Sequence, residues 1–394
     1  MAEQSTVATE ERVRVVDDAG GPPQRRRRTT WIVLGAALMW LVFVAAHRVL
    51  SGRVWWWNLP DLAPPLAFLT VPVLLLITLA LVRPASRRRV GAALVLAALV
   101  LGWPCTGVNA ATLWHRPTST PPDAITVFSW NTWYWDEAVR TGPDGEPIRD
   151  PDQLYQYLHE QAADVYLLQE FVYVDRRDWS VSPVTDLDRL RQEFPGFHIA
   201  FTGELVTLSR FPIVRERPLD LRPWMSRQWP DFPPAGSPLP DYHTVKTLRT
   251  DLLVAGKVVA FYNAHINVPI TGLPSRDDDT AWDGLARHDM RAAGYRALAA
   301  DVTGNPHPIL LAGDLNTSPA MRQLRTLPDR LVDASPALDS LYPASWSLFG
   351  LPFWRIDWVF TTADVDVHEY QMVPQDDLSD HRGQRVVVSI QDYQ

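Results

Sequence analysis

Cysteine occurs once in this 394-residue chain, at Cys105, and lysine only twice, at Lys246 and Lys257. A single cysteine excludes an intramolecular disulfide, a CxxC redox pair and a cysteine-built metal site. It does not identify the compartment. Its ordinary reading is a small apolar residue near the end of a membrane helix. Arginine carries nearly all the positive charge, a matter of genomic composition rather than chemistry. No internal repeat is visible. Basic charge is also scarce where most of the chain lies. Residues 1–115 hold 12 Lys+Arg against 6 Asp+Glu, and the remainder hold 25 against 39, so +6 and −14 make up the net −8. An acidic C-terminal part argues against a nonspecific nucleic-acid binder, which gains affinity by neutralising phosphates.

Apolar residues are plentiful, at 46 % with 17 Trp, enough for one large domain or two ordinary ones. Three stretches read as transmembrane helices: Trp31 to Ala46 or Leu50, Leu62 to Val82, and Val90 to Val108. A span needs roughly 20 mostly apolar residues, so the first is slightly short. Arg25, Arg26, Arg27 and Arg28 precede the first, and Arg83, Arg87, Arg88 and Arg89 separate the second from the third. The positive-inside rule places these clusters in the cytoplasm and everything after about residue 110 outside it. A cleaved signal peptide fits less well, because a polar segment of about 28 residues precedes the first run. The expected organisation is a disordered cytoplasmic tail (1–29), a three-helix anchor (30–109), a linker (110–123) and an outer domain (124–394) in a multi-pass membrane protein.

From Ala124 the pattern alternates strand and helix signals. ITVFSW, DVYLLQ, HIAF, ELVTLS, PILLAGD, RIDWVF and QRVVVSI read as strands. TDLLVAGKVVAFYNAHI reads as a hairpin turning at Ala255-Gly256. Asp152 to Gln161, Leu187 to Phe194 and Leu285 to Val302 read as helices. Two stretches fit no element: residues 222–243, rich in Pro and Trp, and residues 268–284, with Asp277, Asp278 and Asp279. Loops of this length are either functional or plain solvated connections.

Polar residues recur where apolar runs end. They are Asn131, Glu170, His265, Asp314 with Asn316, Asp357, and Asp380 with His381. Burying such groups without partners is costly, so several at strand ends point to one shared site at a sheet rim. Carboxylate oxygens suit Mg²⁺ or Mn²⁺, and two imidazoles suit phosphate chemistry. Each residue also has a plainer reading. Glu170 alone could be a salt-bridge partner, His265 a satisfied core histidine, and the D-x-N of Asp314 and Asn316 an ordinary turn. As a site, Glu170 is a metal ligand, Asp314 polarises water and the Asn316 amide donates to a phosphoryl oxygen. Asp357 orients His381.

The series WN, LLQE, LSRFP, NAHI, GDLN, RIDWVF and SDH resembles the endonuclease/exonuclease/phosphatase superfamily of DNase I-like enzymes, over about residues 124–391. The resemblance implies an α/β four-layer sandwich, two packed mixed sheets with helices outside, and a divalent-metal-dependent phosphoric ester hydrolase. It implies that Asn131 and Glu170 bind metal, with Asp380 a further carboxylate at the metal or water. His265 and His381 would contact phosphate, and Asn316 a phosphoryl oxygen. Asp314 and His381 both remain open as the base. Arg210 of LSRFP is a possible substrate contact, equally compatible with a structural role. Trp133 stands where some family nucleases carry a second acid, and with Trp135 it could stack on substrate or simply pack in the core. Nucleic acid, a phospholipid headgroup and a small phosphate ester all remain open as substrate. Besides the bilayer, no obligate protein partner is implied. The reading from another class is a catalytically silent domain that binds lipid or a partner on the same fold.

Overall fold

The computed structural model describes residues 24–115, 119–135, 151–175, 180–185, 187–230, 232–270, 280–348, 351–375 and 378–391. Of the expected disordered tail (1–29), residues 1–23 lie outside the described residues, as does the acidic run Asp277–Asp279, while residues 24–29 belong to the helix Gln24–Leu50.

Residues after 124 build two six-stranded sheets. In spatial order the first holds β15 (Val365–Val373), β16 (Gly383–Ile390), β1 (Ile125–Asn131), β2 (Val165–Gln169), β6 (Leu205–Ser209) and β5 (His198–Thr202). The second holds β11 (Val332–Asp333), β14 (Asp357–Thr361), β10 (Ile309–Asp314), β9 (Lys257–His265), β8 (Val245–Val254) and β7 (Ile213–Asp220). Two small ribbons pair β3 (Val172–Asp175) with β4 (Ser180–Pro183), and β12 (Trp346–Leu348) with β13 (Leu351–Trp354). The central strands are buried on both faces, so their apolar runs are continuous rather than alternating.

Strand periodicity sorts the side chains into layers. Val127, Leu167 and Val386 of the first sheet meet Leu252, Phe261, Leu310 and Val359 of the second in one cluster between the sheets. On the outer face of the first, Phe128, Tyr166 and Leu168 pack on Leu154 and Leu158 of the helix Pro151–Gln161. On the outer face of the second, Tyr262, Leu311 and Trp358 pack on Tyr295, Leu298 and Val302 of the helix Thr280–Gly304. This is the expected four-layer α/β sandwich. The β8–β9 turn falls at Ala255 and Gly256, both with positive φ (48° and 81°), as a two-residue hairpin requires.

The N-terminal part differs in detail from expectation. Among the described residues, two helices are long and apolar enough to cross a membrane, Arg27–Leu50 and Ala85–Cys105, whereas the middle stretch forms a shorter apolar helix, Ala67–Leu81, with Pro72 inside. The three pack together through Ala37, Leu79 and Val95 at one end and Val44 with Phe68 at the other. Gly91 faces Leu79 and Gly102 faces Phe68, so small residues allow close approach. Leu38, Met39, Leu74, Ile77, Leu96 and Val100 point outward and are exposed.

Candidate active site

Strand register assembles the site. His265 pairs with Asp314 on parallel β9 and β10, and Asp314 pairs with Asp357 on antiparallel β10 and β14. Three ends of the second sheet therefore stand in one row. In the first sheet, Asn131 pairs with Gln169, and Glu170 follows at φ 56°. The left-handed turn ends the strand and swings the glutamate into the gap between the sheets. His381 lies just before β16, where its carbonyl accepts from the Trp130 indole at 3.1 Å.

Gly313 explains how Asp314 gets there. Its φ is 145°, and a Cβ would come 2.0 Å from the Ala264 carbonyl oxygen. Only glycine lets β10 approach β9 this closely one residue before the carboxylate.

Asp314 is the hub. Its Oδ1 accepts from the Asn316 backbone N–H at 2.7 Å, and its Oδ2 accepts from the Asn131 and Asn316 amides, both at 3.1 Å. The same Oδ2 lies 3.6 Å from Nε2 of His265 and 3.6 Å from Nε2 of His381. Asn131 also donates to Glu170 Oε1 at 3.1 Å, which ties the two sheets together. Both amide hydrogens of Asn316 are engaged, by Asp314 and by the Ile266 carbonyl at 3.0 Å. The asparagine therefore holds Asp314 in place here, rather than offering a free donor to phosphate as the sequence suggested.

Each imidazole has a carboxylate behind it. His381 Nδ1 sits 2.8 Å from Asp357 Oδ2. His265 Nδ1 forms a 3.0 Å ion-pair contact with Glu204 Oε2, and the other Glu204 oxygen binds Lys246. Burial works against charge on His265, but Glu204, then Asp314 and Glu170, lift it to about 9. Burial likewise opposes charge on His381, and Asp357 and Asp314 raise it well above the ordinary histidine value. Burial would raise Glu204, yet His265 and Lys246 bring it down to about 2. Two imidazolium groups flanking one carboxylate make a strongly polarised site.

Glu170 behaves in the opposite way. Burial, helped by Glu204 and Asp380, pushes it up to about 7 against the pull of His265. Its Oε2 and the Asp380 Oδ1 are buried and lack a hydrogen-bond donor among the described residues. Two unsatisfied, mutually repelling carboxylate oxygens fit a hard divalent cation. Asn131 Oδ1 already accepts from the Trp133 backbone N–H at 2.9 Å, leaving one lone pair for such an ion. Asp314, Asp357 and His381 also lie close enough together to hold an ion. Their hydrogen bonding argues for a proton-handling group instead, because His381 Nδ1 is committed to Asp357.

At two places the structure decides between readings the sequence left open. Arg210 follows Ser209, which pairs with Val165 at the start of β2. That is the opposite edge of the sheet, roughly 15 Å from Glu170 at ~3.3 Å per residue. There Arg210 pairs with Asp164 and covers Phe197. Trp135 is buried against Tyr155 and Phe171 and belongs to the core, whereas Trp133 stays half-buried beside Asn131.

Four contributors escaped the sequence reading. Glu204 follows Gly203 in the β5–β6 turn, and a turn glutamate reads as solvated. Lys246 offered a signal, being one of two lysines and set inside the apolar strand β8. Trp346 donates to Asp380 Oδ2 at 2.8 Å. Asn263 accepts from Gln169 at 2.7 Å and donates to the Leu168 and Val206 carbonyls, a buried polar tie between the sheets behind the site.

Among solved structures, an endonuclease/exonuclease/phosphatase family protein from Bacteroides thetaiotaomicron is 17 % identical, with 71 % of this chain and 100 % of that one covered and a TM-score of 0.48. A mannosyl-6-phosphatase from the same species is 15 % identical over 68 % and 100 %, with a TM-score of 0.47. Sphingomyelinase C from Streptomyces griseocarneus is 18 % identical over 68 % and 99 %, with a TM-score of 0.42. No curated protein matches the sequence. The family model for the endonuclease/exonuclease/phosphatase family matches residues 128–381, from the strand that delivers Asn131 to the histidine that closes the site. With more than half of its length matched by that model, the chain belongs to the endonuclease/exonuclease/phosphatase family of phosphoester hydrolases.

Proposed function

We propose that this protein is a membrane-anchored, divalent-metal-dependent phosphoric ester hydrolase whose catalytic domain lies outside the cytoplasmic membrane. The observation that carries the chemistry is the Asp314 carboxylate held between two imidazoles, each backed by its own carboxylate. Glu170 and Asp380 would hold the metal, with Asn131 assisting. When bound, Mg²⁺ or Mn²⁺ supplies Lewis-acid stabilisation of charge on the phosphoryl oxygens.

The remaining roles fall to the chain's own groups. Asp314 orients the attacking water, and its position is fixed by Asn131 and Asn316. His265, kept protonated by Glu204, offers Nε2–H to a phosphoryl oxygen as charge develops. His381, oriented by Asp357, exchanges a proton with water or leaving oxygen. Trp133 lies at the rim beside Asn131, where it can meet the substrate. The anchor reading rests on the two long apolar helices and on the arginine clusters at one end of the bundle, where Thr30 bonds to the Arg83 carbonyl and Arg87 covers Trp31.

The test is hydrolysis of bis(p-nitrophenyl) phosphate by the detergent-purified full chain. Turnover is expected with Mg²⁺ or Mn²⁺, and loss in EDTA and in Asp314→Ala. Full activity in EDTA would overturn the metal requirement. A C-terminal alkaline phosphatase fusion, active only when exported, checks the topology.

A further inference from the structure

The catalytic rim and the outer end of the anchor are the same place. The loops that leave the site strands run directly onto the helix ends. Four residues after His265, the Pro269 carbonyl accepts from Asn58 at 3.1 Å. Four residues after Asn316, the Ala320 carbonyl contacts His47 Nε2 at 2.8 Å. Next to it, the Arg322 N–H donates to Ser51 Oγ at 3.0 Å. The loop before β12, which leads to Asp380 through Trp346, meets the last helix. The Asn109 N–H donates to the Leu341 carbonyl at 2.8 Å, and Tyr342 and Pro319 converge with Pro65 on Gly107. Arg291, on the helix Thr280–Gly304, braces the two loops that make these contacts, reaching the Asn267 carbonyl, the Asn316 carbonyl and Thr317.

These contacts set a depth. Four residues of chain span at most about 14 Å, so His265 and Asn316 lie within that distance of the helix ends. The helix Arg27–Leu50 is about 36 Å long at 1.5 Å per residue, more than the ~30 Å hydrocarbon core. Its last turn, with His47, therefore reaches the headgroup zone, which is about 5–8 Å thick on each side. Large apolar side chains are exposed at this level on both parts of the protein: Trp56, Trp103 and Trp114 beside the helices, and Leu341 on the catalytic domain. Tryptophan at such a depth is the mark of a membrane interface. Leu351, on the hairpin that contacts Asp380 through Trp346, is also exposed.

We infer that the substrate is a phosphate ester of a membrane lipid headgroup, which enters the site laterally from the outer leaflet. This rests on the hydrolase reading above. Water attacks phosphorus, one P–O ester bond breaks, and its oxygen takes the proton released by the water. One product stays in the bilayer and the other leaves into solution. The net −14 of residues 116–394 agrees, since it repels long soluble polyanions.

The experiment uses the full chain reconstituted into vesicles. Vesicles of phosphatidylcholine with phosphatidylglycerol, phosphatidylethanolamine, phosphatidylinositol or sphingomyelin are each paired with the matching water-soluble headgroup ester at equal phosphorus. Expected is at least tenfold faster hydrolysis of one vesicle lipid than of its soluble counterpart. Equal rates, or hydrolysis of bis(p-nitrophenyl) phosphate with every vesicle inert, overturn the inference and leave the hydrolase standing. No hydrolysis of any substrate overturns both. A second measurement needs no turnover. In a Cys105→Ser background, Leu341→Cys is labelled with bimane and exposed to headgroup-quencher lipids. Strong quenching is expected, and its absence overturns the placement of the rim at the bilayer.

Discussion

His381 Nδ1 and Asp357 Oδ2 are 2.8 Å apart, both buried, so the imidazole has a fixed orientation and its Nε2 faces Asp314. The carboxylate does two things: it selects the tautomer and it stabilises the imidazolium. Asp357→Asn keeps the shape and removes both effects. We expect kcat to fall by roughly 10²–10⁴-fold, the usual range for a positioned acid–base group, with KM changed little. Steady-state kinetics together with circular dichroism check this. A tenfold fall in KM affinity at unchanged kcat would mean that Asp357 serves binding instead.

The second imidazole gives a pH prediction. His265 is raised to about 9 because Glu204 outweighs its burial. A histidine whose folded value exceeds the unfolded 6.5 contributes stability that is complete below 6.5 and lost as pH rises through about 9. Chemistry that needs protonated His265 should persist over the same window. Glu204→Gln should move the alkaline limb of kcat/KM to lower pH. An unmoved limb in a folded variant would exclude His265 as the titrating group.

Much of this was legible because strand ends announce themselves. His265 and Asp314 each close a run of buried apolar residues and Asp357 opens one, contrary to the reading that it ends a strand, and register does the rest. The individual strands were likewise readable from their apolar runs, whereas the pairing of two sheets was implied only by the family resemblance. Glu204 and Arg210 were not, for one physical reason. Which end of β6 lies at the site depends on its antiparallel pairing with β2, and pairing partners are tertiary information. LSRFP therefore drew attention to the wrong edge, while the glutamate opening the same strand sits in the site. The middle apolar stretch was misjudged in length because Leu62 to Ala63 and Val82 look as apolar as helix residues but lie outside Ala67–Leu81.

Gly313 carries a stability prediction. An added methyl group would sit 2.0 Å from the Ala264 carbonyl oxygen, at a φ of 145° that side chains avoid. Backbone cannot yield there without parting β9 from β10. Gly313→Ala should cost at least roughly 3 kcal/mol, near the upper range for single substitutions. Thermal unfolding measures it, and a change within 1 kcal/mol of zero would show that the strands separate easily.

Glu170 carries a metal prediction. A carboxylate raised to about 7 favours its neutral form when folded, so metal-free protein should lose stability as pH rises from about 4.5 to 7. A bound cation reverses the preference and stabilises the fold by about 2.7 kcal/mol at a hundredfold excess over Kd. Glu170→Gln should keep or raise metal-free stability yet abolish the thermal shift caused by Mg²⁺. An equal Mg²⁺ shift in the variant would place the ion elsewhere.

Asp289 anchors the Pro/Trp-rich stretch that the sequence left without structure. From the helix Thr280–Gly304 it accepts the Ser226 N–H at 2.9 and 3.0 Å and the Trp229 indole at 2.9 Å, with Arg296 at 3.4 Å. Burial alone would raise its pKa, but the bonds from Ser226 and Trp229 prevail and hold it below the ordinary aspartate value. A depressed carboxylate contributes stability above its unfolded pKa of about 3.9, lost as pH falls through the lower folded value. The segment should therefore stay docked from neutral pH down to about 4 and loosen only below it. An amide at this position has one acceptor oxygen for three donors. Asp289→Asn should cost roughly 1–3 kcal/mol and free the segment at every pH. Hydrogen–deuterium exchange over residues 222–230 reads this directly, and exchange as slow as in the wild type would mean that the stretch is held by its prolines and tryptophans rather than by the carboxylate.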